Sequence, residues 1–99
     1  MKNYHWDVEK NNKLIESRGV SFEEVVYYIN QGQVLDIIEH PNQSRYPGQK
    51  IFIVGINNYV YLVSFSESGN EIYLRTIFPS RKLTKKYFKG DESYETTDP

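Results

Sequence analysis

Residues 50–78 read KIFIVGINNYVYLVSFSESGNEIYLRTIF, and this stretch decides the fold. β-Branched and aromatic residues fill three runs, Lys50–Ile56, Tyr59–Ser66 and Glu71–Phe78, with the two-residue period of strands. The breaks between the runs are turn chemistry. Asn57-Asn58 suits a two-residue hairpin whose central residues need positive φ, and Glu67-Ser68-Gly69-Asn70 reads as a four-residue turn. An antiparallel meander follows. Its first hairpin pairs Ile56 with Tyr59 and Val54 with Tyr61; its second turn is expected to pair Ser66 with Glu71 and Leu62 with Arg75. In that register Phe52, Val54, Ile56, Tyr59, Tyr61, Val63, Phe65, Ile72, Leu74 and Phe78 share an apolar face. Ile51, Ile53, Val60, Leu62, Ser64, Tyr73, Arg75 and Ile77 share the other, which holds the only arginine in any strand. A slip of one residue would exchange the two faces.

Working outward, the apolar face needs a covering layer, and the N-terminal third supplies it. Ser21-Phe22-Glu23-Glu24 is a capping box, in which Ser21 caps the amide three residues on and Glu24 reaches back. Phe22, Val25, Val26 and Ile29 then fall on one helical stripe, and Gly32 stands where a left-handed C-terminal residue is wanted. Asn3 to Trp6 reads as a short strand. Asp7 is placed to cap a helix running to about Ser17 and stopped by Gly19. Gln33 to Glu39 is a further strand, and His40 to Gly48, with Pro41 and Pro47, is a long loop of the kind that carries function. After the meander, Pro79 stops the sheet, Ser80 caps a helix over about Arg81 to Phe88, and Gly90 ends it. The expected class is α+β: a small antiparallel sheet with two N-terminal helices on one face and a short C-terminal helix.

Ninety-nine residues make one domain, here residues 1–90 followed by an acidic, disordered tail over 91–99. Nine Tyr and five Phe supply enough ring area for a core without crosslinks. The absence of cysteine excludes disulfides and thiolate metal sites and favours a reducing, cytoplasmic setting. The start of the chain has no apolar run resembling a secretion leader, and no stretch approaches the ~20 apolar residues that span a bilayer. Net charge is -1 overall, but residues 72–90 hold six bases and no acid: Arg75, Arg81, Lys82, Lys85, Lys86 and Lys89. Such a block is either a solvated face or a site for a polyanion. Tyr59, Tyr61 and Tyr73 are either packing or stacking platforms for bases. Of the two histidines, His40 is the better candidate for chemistry, because it follows Glu39 at a strand end and opens the long loop.

Four blocks in order resemble one family. Tyr4-His5-Trp6-Asp7-Val8-Glu9-Lys10, Arg18-Gly19-Val20-Ser21-Phe22-Glu23-Glu24, Asp36 to His40, and Pro79-Ser80-Arg81-Lys82-Leu83-Thr84-Lys85-Lys86-Tyr87 are similar to the BrnT toxins. That family carries W-D-x-x-K, K-H-G-V-S-F-E-E, a central D…E-H or D…D, and S-A-R-x-A-T-x-x-E-R-x-x-Y. The resemblance runs from about residue 4 to 88. Arg18 stands where the family has His, Pro79 precedes Ser80 where the family has Ala after it, and Lys85-Lys86 replaces Glu-Arg.

The resemblance implies a RelE-like fold and a metal-independent endoribonuclease, the growth-inhibiting toxin of a bacterial type II toxin–antitoxin module. It implies RNA as substrate, a ribbon-helix-helix antitoxin as partner, and promoter DNA bound only through their complex, with room there for a toxin homodimer. It implies no cofactor, no metal and no membrane. RNA is cleaved when its 2′-OH loses a proton, the phosphorane charge is held, and the leaving 5′-oxygen gains a proton. Arg75 and Arg81 are the candidates for the charge, His40 or Glu39 for the base or acid, and Tyr61 or Tyr87 for a helper. Lys82, Lys85 and Lys86, with Tyr61, Tyr73 and Tyr87, are the candidates for holding RNA. The competing readings are an inactive relative that only pairs with the antitoxin, and an adaptor domain that uses an exposed strand edge.

Overall fold

The meander lies at the centre of a larger, mixed sheet. In chain order the computed structural model has β1 (Asn3–His5), α1 (Val8–Arg18), α2 (Phe22–Asn30), β2 (Val34–Glu39), β3 (Lys50–Ile56), β4 (Tyr59–Ser68), β5 (Glu71–Pro79) and α3 (Arg81–Thr84), which continues as a π-helical turn over Lys85–Lys89. It describes residues 2–89; Gly90, read as the end of the last helix, and the acidic segment 91–99 lie outside the described residues. The strands run in the order β1-β5-β4-β3-β2. All neighbours are antiparallel except β1, which pairs with β5 in parallel. The class is α+β, as expected, but the sheet is mixed rather than wholly antiparallel.

The first hairpin has the expected register, Ile56 opposite Tyr59 and Val54 opposite Tyr61, with Asn57 and Asn58 at φ 53° and 64°. The second does not. β4 continues to Ser68, which pairs with Glu71, so only Gly69 and Asn70 turn the chain; Gly69, at φ 61°, takes the positive dihedral. Ser66 therefore faces Tyr73, and Leu62 faces Phe78. Tightening the turn by two residues preserves the faces, but a bulge then changes them. Ser64 pairs with Thr76 and Phe65 with Leu74, which leaves Arg75 as the extra residue. Beyond it inside and outside exchange. Ile77 is fully buried and Phe78 is 48% exposed, the reverse of the expected assignment.

The helices cover the expected face. Leu14, Val20, Phe22 and Val25 pack with Phe52, Val54, Val63, Phe65, Ile72, Leu74 and Ile77, and the rings of Phe52 and Phe65 stack at 4.0 Å. Burying each such side chain fully contributes roughly 1.5–3 kcal/mol. Both halves of the capping box form: Ser21 Oγ accepts from Glu24 N at 3.1 Å, and Ser21 N donates to Glu24 Oε1 at 3.0 Å. A second clamp is absent from the motif. Asn11, buried on α1, accepts from Phe22 N and donates to Glu23 Oε1, each at 2.7 Å. α1 thus satisfies helix-end amides that α2 cannot satisfy itself. The bond from Asn11 holds the Glu23 carboxyl below its ordinary pKa. Asp7 occupies the N-cap of α1 but makes no side-chain capping bond.

On the opposite face the C-terminal segment covers one end only. Ser80 Oγ accepts from Leu83 N, Thr84 Oγ1 accepts from Val60 N and donates to Ser80 O, and Phe88 lies where a Cβ on Gly55 would come within 3.0 Å. At the sheet's other edge β1 has three backbone pairs with β5 and a set of side-chain ties. Asn3 and His5 both bond to Glu71, and Lys2 bonds to Glu67 at 3.0 Å.

Two outcomes follow from this bonding. Ser21→Ala is expected to cost about 0.5–2 kcal/mol, and Asn11→Ala about 1–3 kcal/mol, because a buried amide is left without an acceptor. Urea denaturation of the two variants checks both values. The second outcome concerns β1. The carboxyls of Glu71 and Glu67 are held below 4.5 first by their bonds to His5 and Lys2. Their stabilisation of β1 is full above that ordinary value and is lost as pH falls through the lowered one. The protection of the Asn3 and His5 amides, taken as the ratio of intrinsic to observed exchange rate at each pH, should therefore fall below 4.5, with a shallower fall in Glu71→Gln.

Candidate active site

β1 alternates like any strand. Tyr4 packs inward with Ile72, and His5 faces outward opposite Tyr73. The imidazole of His5 stacks on the Tyr73 ring at 5.0 Å and 23°, while its Nε2 bonds to Glu71 Oε1. Arg75, set out of the ladder by the bulge, places its guanidinium 5.7 Å from the Tyr73 ring and donates from Nη2 to Ser66 Oγ at 2.9 Å. The chain leaves β1 through Trp6 and Asp7 and enters α1, which brings Lys10 to the same place. His5, Asp7, Lys10, Tyr73 and Arg75, with Trp6 and Leu74, line one open cavity of about 320 Å³. A wider groove of about 810 Å³ lies along the outer side of β1, with His5 and Glu71 in its wall as well. It has no arginine in its lining, so the smaller cavity is the better anion site.

The chemical capacity of this cluster follows from its parts. Glu71 accepting from Nε2–H fixes the histidine tautomer and leaves Nδ1 as the nitrogen able to take a proton. The lowered Glu71 pKa, caused first by that bond, keeps the partner a carboxylate. Lys10 and Arg75 add two positive charges, the second with a planar donor fork suited to phosphate. Tyr73 offers an aromatic floor, 37% exposed.

The candidates read from sequence do not all converge here. Arg75 and Tyr73 do. Glu39 ends β2, at the far edge of the sheet, and His40 follows it. Glu39 pairs with Lys50, Lys50 with Phe65 and Phe65 with Leu74, so β2 and β5 stand three strand spacings apart, roughly 14 Å. Arg81 and Lys82 are exposed at the start of α3, six and seven residues beyond Arg75, which is roughly 20 Å of extended chain. Lys85, Lys86 and Tyr87 are exposed on the π-helical turn, where Lys86 lies 5.7 Å from the Tyr87 ring. Tyr61 packs half-buried against the core on the helix-covered face, and burial is the first cause of its raised pKa.

His5, Glu71, Lys10 and Asp7 escaped selection by sequence. His5 and Glu71 are 66 residues apart in the chain, and only the parallel pairing of β1 with β5 joins them. The one available signal was the alternation of Tyr4 and His5, which turns an imidazole away from the core. No protein-family model, curated protein or solved structure matches the chain.

Proposed function

We propose that the protein is a metal-independent endoribonuclease, acting as the toxin of a toxin–antitoxin pair in the manner its resemblance to the BrnT toxins implies. One observation carries the reading: a carboxylate-anchored histidine, His5 with Glu71, shares a cavity with Arg75 and Lys10. Those are the groups that internal cleavage of RNA requires. Nδ1 of His5 takes the proton of the 2′-OH, the 2′-oxygen bonds to phosphorus, and Arg75 and Lys10 hold the charge that builds on the phosphorane oxygens. The bond from phosphorus to the 5′-oxygen breaks, and that oxygen takes a proton from the Lys10 ammonium; the proton held on His5 Nδ1 then passes to solvent, and solvent reprotonates Lys10. The products are a 2′,3′-cyclic phosphate and a 5′-hydroxyl. Since the nucleophile belongs to the substrate, the protein supplies proton transfer and charge and need activate no water. Lys82, Lys85 and Lys86 then serve as backbone contacts that position RNA without reading it.

Cleavage of RNA by purified protein in the presence of a chelator tests this reading. Arg75→Ala and His5→Ala should each lower the rate by about 10²–10³, with circular dichroism unchanged. Arg75→Lys should recover little, because a point charge does not reproduce the guanidinium fork. Lys85→Ala and Lys86→Ala should weaken binding and flatten its salt dependence. A 2′-deoxy substitution at the cleaved position should abolish the reaction. Wild-type protein that leaves RNA intact would favour the binding-module reading, and a His5→Ala variant as fast as wild type would move the chemistry elsewhere.

A further inference from the structure

The register draws one row across the open end of the sheet. His40 N donates to Gln49 O at 3.0 Å, Gln49 is the next position after the Lys50–Phe65 pair and so adjoins Ser66, Ser66 pairs with Tyr73, and Tyr73 pairs with His5. Strand alternation puts His40, Ser66, Tyr73 and His5 on the same face, the one opposite α1 and α2. The C-terminal segment covers the other end of that face, over Gly55 and Val60. This end carries polar groups instead, with Tyr73 and Arg75 exposed and Ser66 half-buried. From His5 to His40 the row spans four strand spacings, roughly 19 Å.

At its far end stands a built element. The loop from His40 to Gln49 contains no regular structure, yet its own side chains hold its shape. Gln43 donates to His40 O and Gln49 O and accepts from Gly48 N, while Asn42 Oδ1 accepts from Arg45 N and Ser44 Oγ. His40 Nδ1 accepts from Asn42 N. What these bonds present is a half-buried Tyr46 ring, tilted by 36° against the His40 ring at 4.5 Å, with the exposed Arg45 guanidinium 5.5 Å from it. An aromatic ring flanked by an arginine is a stacking platform for a nucleobase with a charge for its phosphate.

The geometry points to the 40–49 loop as a second RNA subsite, in which Tyr46 stacks a base several nucleotides away from the scissile bond and the Ser66–Arg75 row carries the strand between. This rests on RNA being the substrate, as proposed above. It gives His40 and Tyr46 a role in substrate reach and none in proton transfer.

The test uses single-stranded RNAs that share one cleavage site and are shortened stepwise from either end, with kcat and KM measured for wild type and Tyr46→Ala. Lengthening at one end should lower the wild-type KM roughly ten-fold once the strand reaches the loop, with kcat unchanged. Tyr46→Ala should lose that gain and match wild type on the short RNAs, and Tyr46→Phe should keep it. Equal length dependence in Tyr46→Ala and wild type, or none in either, overturns the subsite. The same oligonucleotides with 2′-O-methyl groups, followed by fluorescence anisotropy, separate this inference from the ribonuclease reading. A length-dependent affinity that Tyr46→Ala abolishes supports the subsite even if no RNA is cut, and its absence overturns the subsite even if RNA is cut.

Discussion

Three residue pairs between β1 and β5 hold the site together. Without them the chain has a meander, two helices and a histidine with no partner. With them, His5 meets Glu71 and Tyr73, and the turn at Trp6 and Asp7 delivers α1, with Lys10, to the same edge. A parallel contact between the first and last strands is slow to form and entropically costly, and three backbone pairs are few to hold it. The side chains of Lys2, Asn3 and His5 add ties to Glu67 and Glu71, so two of the groups that would position the reaction also hold the strand. On the proposed reading, stability and function are coupled at this edge.

The bulge at Arg75 is the second constraint, and it serves the core as well as the surface. Before it β5 sends Ile72 and Leu74 inward; after it Ile77 turns inward. A regular ladder would have buried the position of Phe78 instead. The extra residue is spent on an arginine whose side chain leaves the alternation and lies between Ser66 and Tyr73. Bulges often re-aim side chains beside active sites, and here one change of register both closes the core and opens a donor fork towards the cavity.

These two features also explain where sequence reading succeeded and where it stopped. Local rules were sufficient for the capping box at Ser21, the Asn57-Asn58 hairpin, the stripe from Phe22 to Ile29 and the start of α3 at Ser80, because each depends on neighbours within a few residues. Arg75 and Tyr73 were selected on charge and strand position, and both line the cavity. The His5–Glu71 pair was invisible because 66 residues separate the partners and nothing nearby in the chain marks either of them. The bulge was invisible for a subtler reason. Apolar residues at Leu74, Ile77 and Phe78 accommodate either register, and only packing against Val63 and the helices decides which side chain enters. His40 and Glu39 drew attention as a polar pair opening a long loop, a compositional signal that is silent about distance across a sheet.

The distribution of charge across the open face gives these observations a common logic. Arg81, Lys82, Lys85 and Lys86 are exposed on the segment whose Phe88 lies on Gly55 and whose Thr84 satisfies Val60. Exposed charges of this kind act mainly through long-range attraction, which salt screens. Arg75 is different, because Ser66 and the Tyr73 ring hold its guanidinium in one orientation. Arg45 has its backbone amide bonded to Asn42 Oδ1 and its guanidinium 5.5 Å from the Tyr46 ring. On the ribonuclease reading, a strand of RNA drawn to this face by the exposed cations would meet an oriented guanidinium at Arg75, within the row from His5 to Tyr46. On that reading attraction and alignment fall to different residues on the same face, and alignment draws on the bulge at Arg75 and the braced loop over 40–49.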